Sequence, residues 1–147
     1  MSAERISSMD EMVKAINNFI NASKKFISDM GYDAKLTEIM MNATDPEDVF
    51  TAEQLVRVLS VVDNMTIVMD YLSKPVRIRG KIRVMKKEVW LGDTKLKNGD
   101  KIEYMMGGKW KAAIFKYSEE KGTASLLGDD QKIYDVQLID KLDGRMR

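Results

Sequence analysis

At Val76 the period of the hydrophobic pattern changes from 3.6 residues to 2, and no single element of secondary structure carries both. Downstream of that point Val76, Ile78, Ile82 and Val84 alternate with Arg77, Arg79, Lys81 and Arg83, which predicts a strand with one apolar and one cationic face. Upstream, Met9, Met12, Val13, Ile16, Phe19, Ile20, Phe26, Ile27 and Met30 recur at three- and four-residue spacing, the signature of an amphipathic helix. The expected fold class is therefore α+β, an N-terminal helical bundle followed by a small antiparallel β structure.

The charge distribution changes at the same place. Residues 1–74 hold seven Lys/Arg against twelve Asp/Glu and residues 75–147 hold seventeen against eleven, so a net charge of +1 hides halves of −5 and +6. We place a boundary at Ser73-Lys74-Pro75, with a helical domain over 1–74 and a β domain over 76–147. Three helices are expected, over about 9–30, 34–43 and 52–72. Ser8-Met9-Asp10-Glu11 and Thr51-Ala52-Glu53-Gln54 both have the form of a capping box. Gly31 supplies a C-cap, Asp33 a cap for the middle helix, and Pro46 suits a first helical turn. The 52–72 segment is apolar on most sides and is expected to lie buried among several elements or against a second subunit.

In the β half, Gly80 interrupts the apolar face of the first strand, where a bend or bulge is expected. Strands are expected at 88–91, 101–106, 109–117, 123–127 and 132–134, separated by turns at 97–100, 107–108, 118–122 and 128–130. Val136–Leu142 reads as a last short strand or a single helical turn. Asn98-Gly99-Asp100-Lys101-Ile102-Glu103, Gly108-Lys109-Trp110-Lys111-Ala112-Ala113-Ile114, Leu127-Gly128-Asp129-Asp130 and Leu138 together resemble a Tudor-type barrel. They are also similar to a family of short uncharacterised domains of Gram-positive bacteria and their mobile elements. That family shares a Gly-Asp-x-Ile-Glu turn, a Gly-x-Trp strand and an ending close to Leu142-Asp143-Gly144-Arg145-Met146-Arg147. The resemblance covers roughly the last 70 residues and implies a small SH3/Tudor-like antiparallel β-barrel. A methyl-lysine cage is not expected, because Leu127 stands where the family has an aromatic and alternation sends Trp110 to the face opposite Phe115 and Tyr117.

The sequence contains no cysteine and no histidine. Disulfides, thiol nucleophiles, Ser-His-Asp catalysis and the usual zinc sites are thereby excluded. Asp100 with Glu119-Glu120-Lys121 has the residue types of a metal-dependent nuclease, but its Glu-x-Lys falls in a predicted turn. No catalytic residue, metal ligand or cofactor is assigned. The N-terminus lacks the apolar core of a secretory signal, and the most apolar stretch, Leu55–Leu72, contains Arg57, Asp63, Asn64 and Asp70. A cytoplasmic protein with no membrane partner is expected.

Arg77, Arg79, Lys81, Arg83, Lys86 and Lys87 place six cations and no acid within eleven residues. Such a run fits a phosphate backbone or an acidic protein surface, and Lys109 and Lys111 are candidates to extend it. Its ordinary structural role would be to block edge-to-edge aggregation of a strand. The expected function is non-enzymatic binding of a nucleic acid or nucleoprotein. By analogy with mobile-element products, the resemblance implies an inhibitor of a host defence nuclease, of the anti-CRISPR type. The alternative is a protein-interaction or homodimerisation module acting through helices 9–30 and 52–72.

Overall fold

The structure, a computed structural model, describes residues 3–147, with side chains from Ser8 onward. The chain divides between Ser73 and Lys74 into two compact units. Three helices make up the first: α1 (Ala3–Met30), α2 (Tyr32–Asn42) and α3 (Pro46–Ser73). Gly31 alone separates α1 from α2, and its φ of 63° is the left-handed conformation that ends a helix at least cost to glycine. Asp45 Oδ1 accepts the Glu47 N–H at 3.0 Å, and Pro46 takes the first helical position of α3, where its missing N–H is no loss.

Both expected capping boxes are corrected here. Ser8 and Thr51 lie inside α1 and α3, each preceded by at least a further turn of helix. Good helix formers upstream of Ser8, and the stronger Asp45-Pro46 start upstream of Thr51, outweigh the local hydroxyl. Asp33 does not cap α2 either: it sits in the first turn, behind Gly31, and Thr37 Oγ1 donates to its backbone carbonyl. Nor is α3 enclosed. Of its side chains only Ala52 is buried, joined among the described residues of the helical unit by Ile20 and Leu36.

The second unit holds eight strands: β1 (Ile78–Met85), β2 (Glu88–Leu91), β3 (Thr94–Lys95), β4 (Lys101–Met106), β5 (Lys109–Ser118), β6 (Thr123–Gly128), β7 (Ile133–Asp135) and β8 (Asp143–Met146). All pairings are antiparallel, in the order β3-β2-β1-β8-β4-β5-β6-β7. The sheet is not closed into a barrel, which corrects the expected architecture. Closure requires the two outermost strands to pair. Here β8 inserts at the middle, between β1 and β4, and leaves β3 and β7, two and three residues long, as the edges.

Strand β1 serves two neighbours in succession. Its first half pairs with β8, Ile78 opposite Met146 and Lys81 opposite Asp143, and its second half with β2, Ile82 opposite Leu91 and Met85 opposite Glu88. The change of partner happens just after Gly80, where a Cβ would come within 3.2 Å of the Gly92 backbone. Only glycine admits that approach without displacement. One face of the sheet is packed by Ile82, Val89, Leu91, Ile102, Tyr104, Ala113, Phe115 and Leu126, closed over by Val136 and Ile139 from a single 3-10 turn, Val136–Ile139. Asp135 caps that turn through the Gln137 N–H, and Asp140 Oδ1 ties it to the Val84 N–H at 2.9 Å.

Candidate anion-binding face

Because side chains alternate across a strand, the inward set of β1, Ile78, Ile82 and Val84, forces Arg77, Arg79, Lys81 and Arg83 to the opposite side, where all four are exposed. Register then decides what joins them. Arg79 stands opposite Arg145 and Arg145 opposite Glu103, so these three share one face across β1, β8 and β4. Arg147 follows two residues beyond Arg145 on the same side, and Arg77 Nη2 donates to its carbonyl at 3.1 Å. Six cations from β1, β8 and the residues flanking them thus line one surface together with three acids, Glu103, Asp143 and, opposite Met85 on β2, Glu88.

Those acids are already engaged. Lys81 Nζ lies 2.8 Å from Asp143, an exposed pair with little net energy. Glu103, only 6% exposed, takes Arg145 on one carboxylate oxygen and Arg147 on the other. Arg83 Nη2 donates to the Gly92 carbonyl at 3.1 Å, which leaves its charge uncompensated. Arg79 has no ion-pair partner among the described residues. The Arg145 guanidinium also lies 4.0 Å from the centroid of the Trp110 ring. That contact stiffens a long cation over an aromatic plane.

The remaining cations of the run lie elsewhere. Lys86 and Lys87 form the turn between β1 and β2, and with Lys121, Gly122 and Gln137 they line a separate groove of about 370 Å³. Glu88 beside them is held below the usual carboxylate range, first by its hydrogen bond from Lys95. Lys109 and Lys111 do not extend the Arg77–Arg83 surface. Lys111 pairs with Tyr104 and Lys109 with Met106, so both share the face of the core residues, and it is Trp110 between them that shares the face of Arg145.

Sequence reading therefore missed Arg145, Arg147, Glu103 and Trp110 as members of this surface. Only the placement of β8 beside β1 brings them there, and Asp143–Met146 is four residues of weak strand propensity. The turn acids, by contrast, assemble nothing. Asp100 accepts the Lys97 N–H at 2.7 Å, and among the described residues no three acidic side chains converge as metal ligands. Among the described residues, too, no helix is long and apolar enough to cross a membrane. Compared with protein-family models, curated proteins and solved structures, the chain gives no match.

Proposed function

We propose that this chain is a non-enzymatic binding protein whose β unit receives a nucleic acid, bare or within a nucleoprotein, on the β1/β8 face. The observation that carries the reading is the register-imposed convergence of Arg77, Arg79, Lys81, Arg83, Arg145 and Arg147 on one side of the sheet. Like charges on neighbouring strands cost stability, and Glu103 and Asp143 offset only part of that cost. A polyanion relieves the rest. Trp110 beside Arg145 adds an aromatic plane next to the cations, the combination that nucleic-acid surfaces use to hold bases and phosphates together.

The test is fluorescence anisotropy with labelled single-stranded and duplex oligonucleotides across a salt series. Neutralising Arg77, Arg79 and Arg83 to Ala together should weaken binding and lower the magnitude of the log–log salt slope by roughly 2. Unchanged affinity and slope in that variant would sink the proposal. A nucleic-acid-loaded defence nuclease, the partner that the mobile-element resemblance implies, is tested in the same format with the intact nucleoprotein as titrant.

A further inference from the structure

The helical unit has two 28-residue helices, each about 42 Å long at 1.5 Å per residue, yet among its described residues only Ile20, Leu36 and Ala52 are buried. So small a core does not offset the entropy of ordering such a unit. The position of the open apolar surface is specific. Along α1, Met9, Met12, Ile16, Phe19, Ser23, Phe26 and Met30 occupy successive a and d positions of three heptads. The six large ones are between 42% and 60% exposed. Ile20, on the adjoining e line, is 3% exposed, and Ile27, one heptad further, is half-buried. The chain thus packs α1 within its own unit by the later part of the e line, Val13 being exposed, and leaves the a/d seam open. Beside the C-terminal half of that seam lies an apolar groove of about 680 Å³, lined by Phe19, Ser23 and Phe26 of α1, Leu36 of α2, and Leu55 and Val58 of α3.

We propose that a second copy of this chain closes the seam, its α1 lying antiparallel to the first in this groove across a two-fold axis between Asn17 and Asn18. In that register three layers form, Met9 against Phe26, Met12 against Ser23 and Ile16 against Phe19, each occurring twice by symmetry, while Met30 falls beyond them. Long Met12 falls against short Ser23, so the layers complement one another in size. A parallel pairing would instead set Phe19 on Phe19, Phe26 on Phe26 and Ser23 on Ser23, large on large and small on small.

The available area fits. The five large residues of those layers with Leu55 and Val58 are each about half open, which gives on the order of 700 Å² of apolar surface per copy. A standard interface takes roughly 800 Å² from each partner, and a monomer usually leaves no more than about 300–600 Å² in one patch.

Sedimentation equilibrium of the full chain is expected to give a dimer. The double substitution Ile16→Glu/Phe19→Glu should raise its dissociation constant by more than about a hundredfold, since the central layers then bury four carboxylates. A further experiment does not depend on that variant folding. Because the chain has no cysteine, Met9→Cys and Phe26→Cys chains can be mixed and oxidised. The mixture should cross-link and neither variant alone should, as like positions lie about 25 Å apart in the antiparallel pair. A monomer at every concentration overturns the proposal, whatever else the monomer binds. So does cross-linking of Met9→Cys to itself, or a dimer indifferent to Ile16→Glu/Phe19→Glu.

Discussion

Glu103 on β4 and Arg145 on β8 are register partners, and the guanidinium donates from both Nε and Nη2 to one carboxylate oxygen, at 3.0 and 2.8 Å. Arg147 Nε donates to the other oxygen at 2.8 Å and its Nη1 to the Lys74 carbonyl at 3.0 Å, so a single buried acid anchors the last strand of the sheet. Removing it leaves two partly buried cations without their counter-charge. Glu103→Ala is expected to cost about 2–3 kcal/mol and Glu103→Gln about 1, measured by urea unfolding. A loss below about 0.5 kcal/mol for the alanine variant would show that the cluster contributes nothing to holding β8.

Gly144 sits opposite both Gly80 and Tyr104 and is itself buried. A Cβ there would come within 2.6 Å of Ile82 Cγ1 and 2.9 Å of Leu91 Cδ1, and neither of those side chains has any exposed surface into which to retreat. Gly144→Ala should destabilise the β unit by roughly 2 kcal/mol through overpacking, read as a shift of the denaturation midpoint at constant slope.

Lys86 adopts φ of 57° in the two-residue turn between β1 and β2, a conformation that costs an L-residue with a Cβ. Lys86→Gly should stabilise by about 1 kcal/mol in thermal unfolding while removing one cation. Because Lys86 stands off the Arg77–Arg83 face, oligonucleotide affinity should fall far less than on loss of Arg79.

The Tyr134 hydroxyl donates to Asp130 Oδ2, and the Lys132 N–H donates to Oδ1 at 3.0 Å. Together, the tyrosine first, they hold the Asp130 carboxyl below its usual range, and the same bond raises Tyr134 above the usual tyrosine value. The signs follow from linkage. The aspartate's contribution to stability is present above the unfolded carboxyl pKa and is lost as pH falls through the depressed folded value. The tyrosine's is complete below the unfolded phenol pKa, about 10, and is lost as pH rises through the raised folded value. In Tyr134→Phe the Asp130 titration, followed by NMR, should move up toward an ordinary aspartate. Tyr104 should also ionise late in a spectrophotometric titration, chiefly because it is buried and secondarily because Asp130 and Asp129 are near.

Periodicity carried most of the secondary structure. The three helices and the strands from β1 to β7, apart from two-residue β3, follow from local pattern and turn residues, because a helix stripe and a strand alternation are properties of neighbours in sequence. Helix starts were misread where a capping box competed with good helix formers or with Asp45-Pro46 upstream. The seam on α1 was visible as an apolar stripe, but which of its residues face inward was not: Ile20 is buried and Phe19 beside it is 60% exposed, a choice made by where α2 and α3 lie.

The switch of period at Val76 and the cationic side of β1 belong to the sequence alone, since any strand that buries Ile78 and Ile82 must present Arg79 and Lys81 on its other side. The tertiary structure decided that the sheet stays open, that β8 rather than an edge strand lies beside β1, and hence that Arg145, Arg147, Glu103 and Trp110 join that side while Lys109 and Lys111 do not. Strand pairing over some seventy residues is set by which backbone edges meet when the core closes, and no local pattern within a four-residue strand encodes its partner.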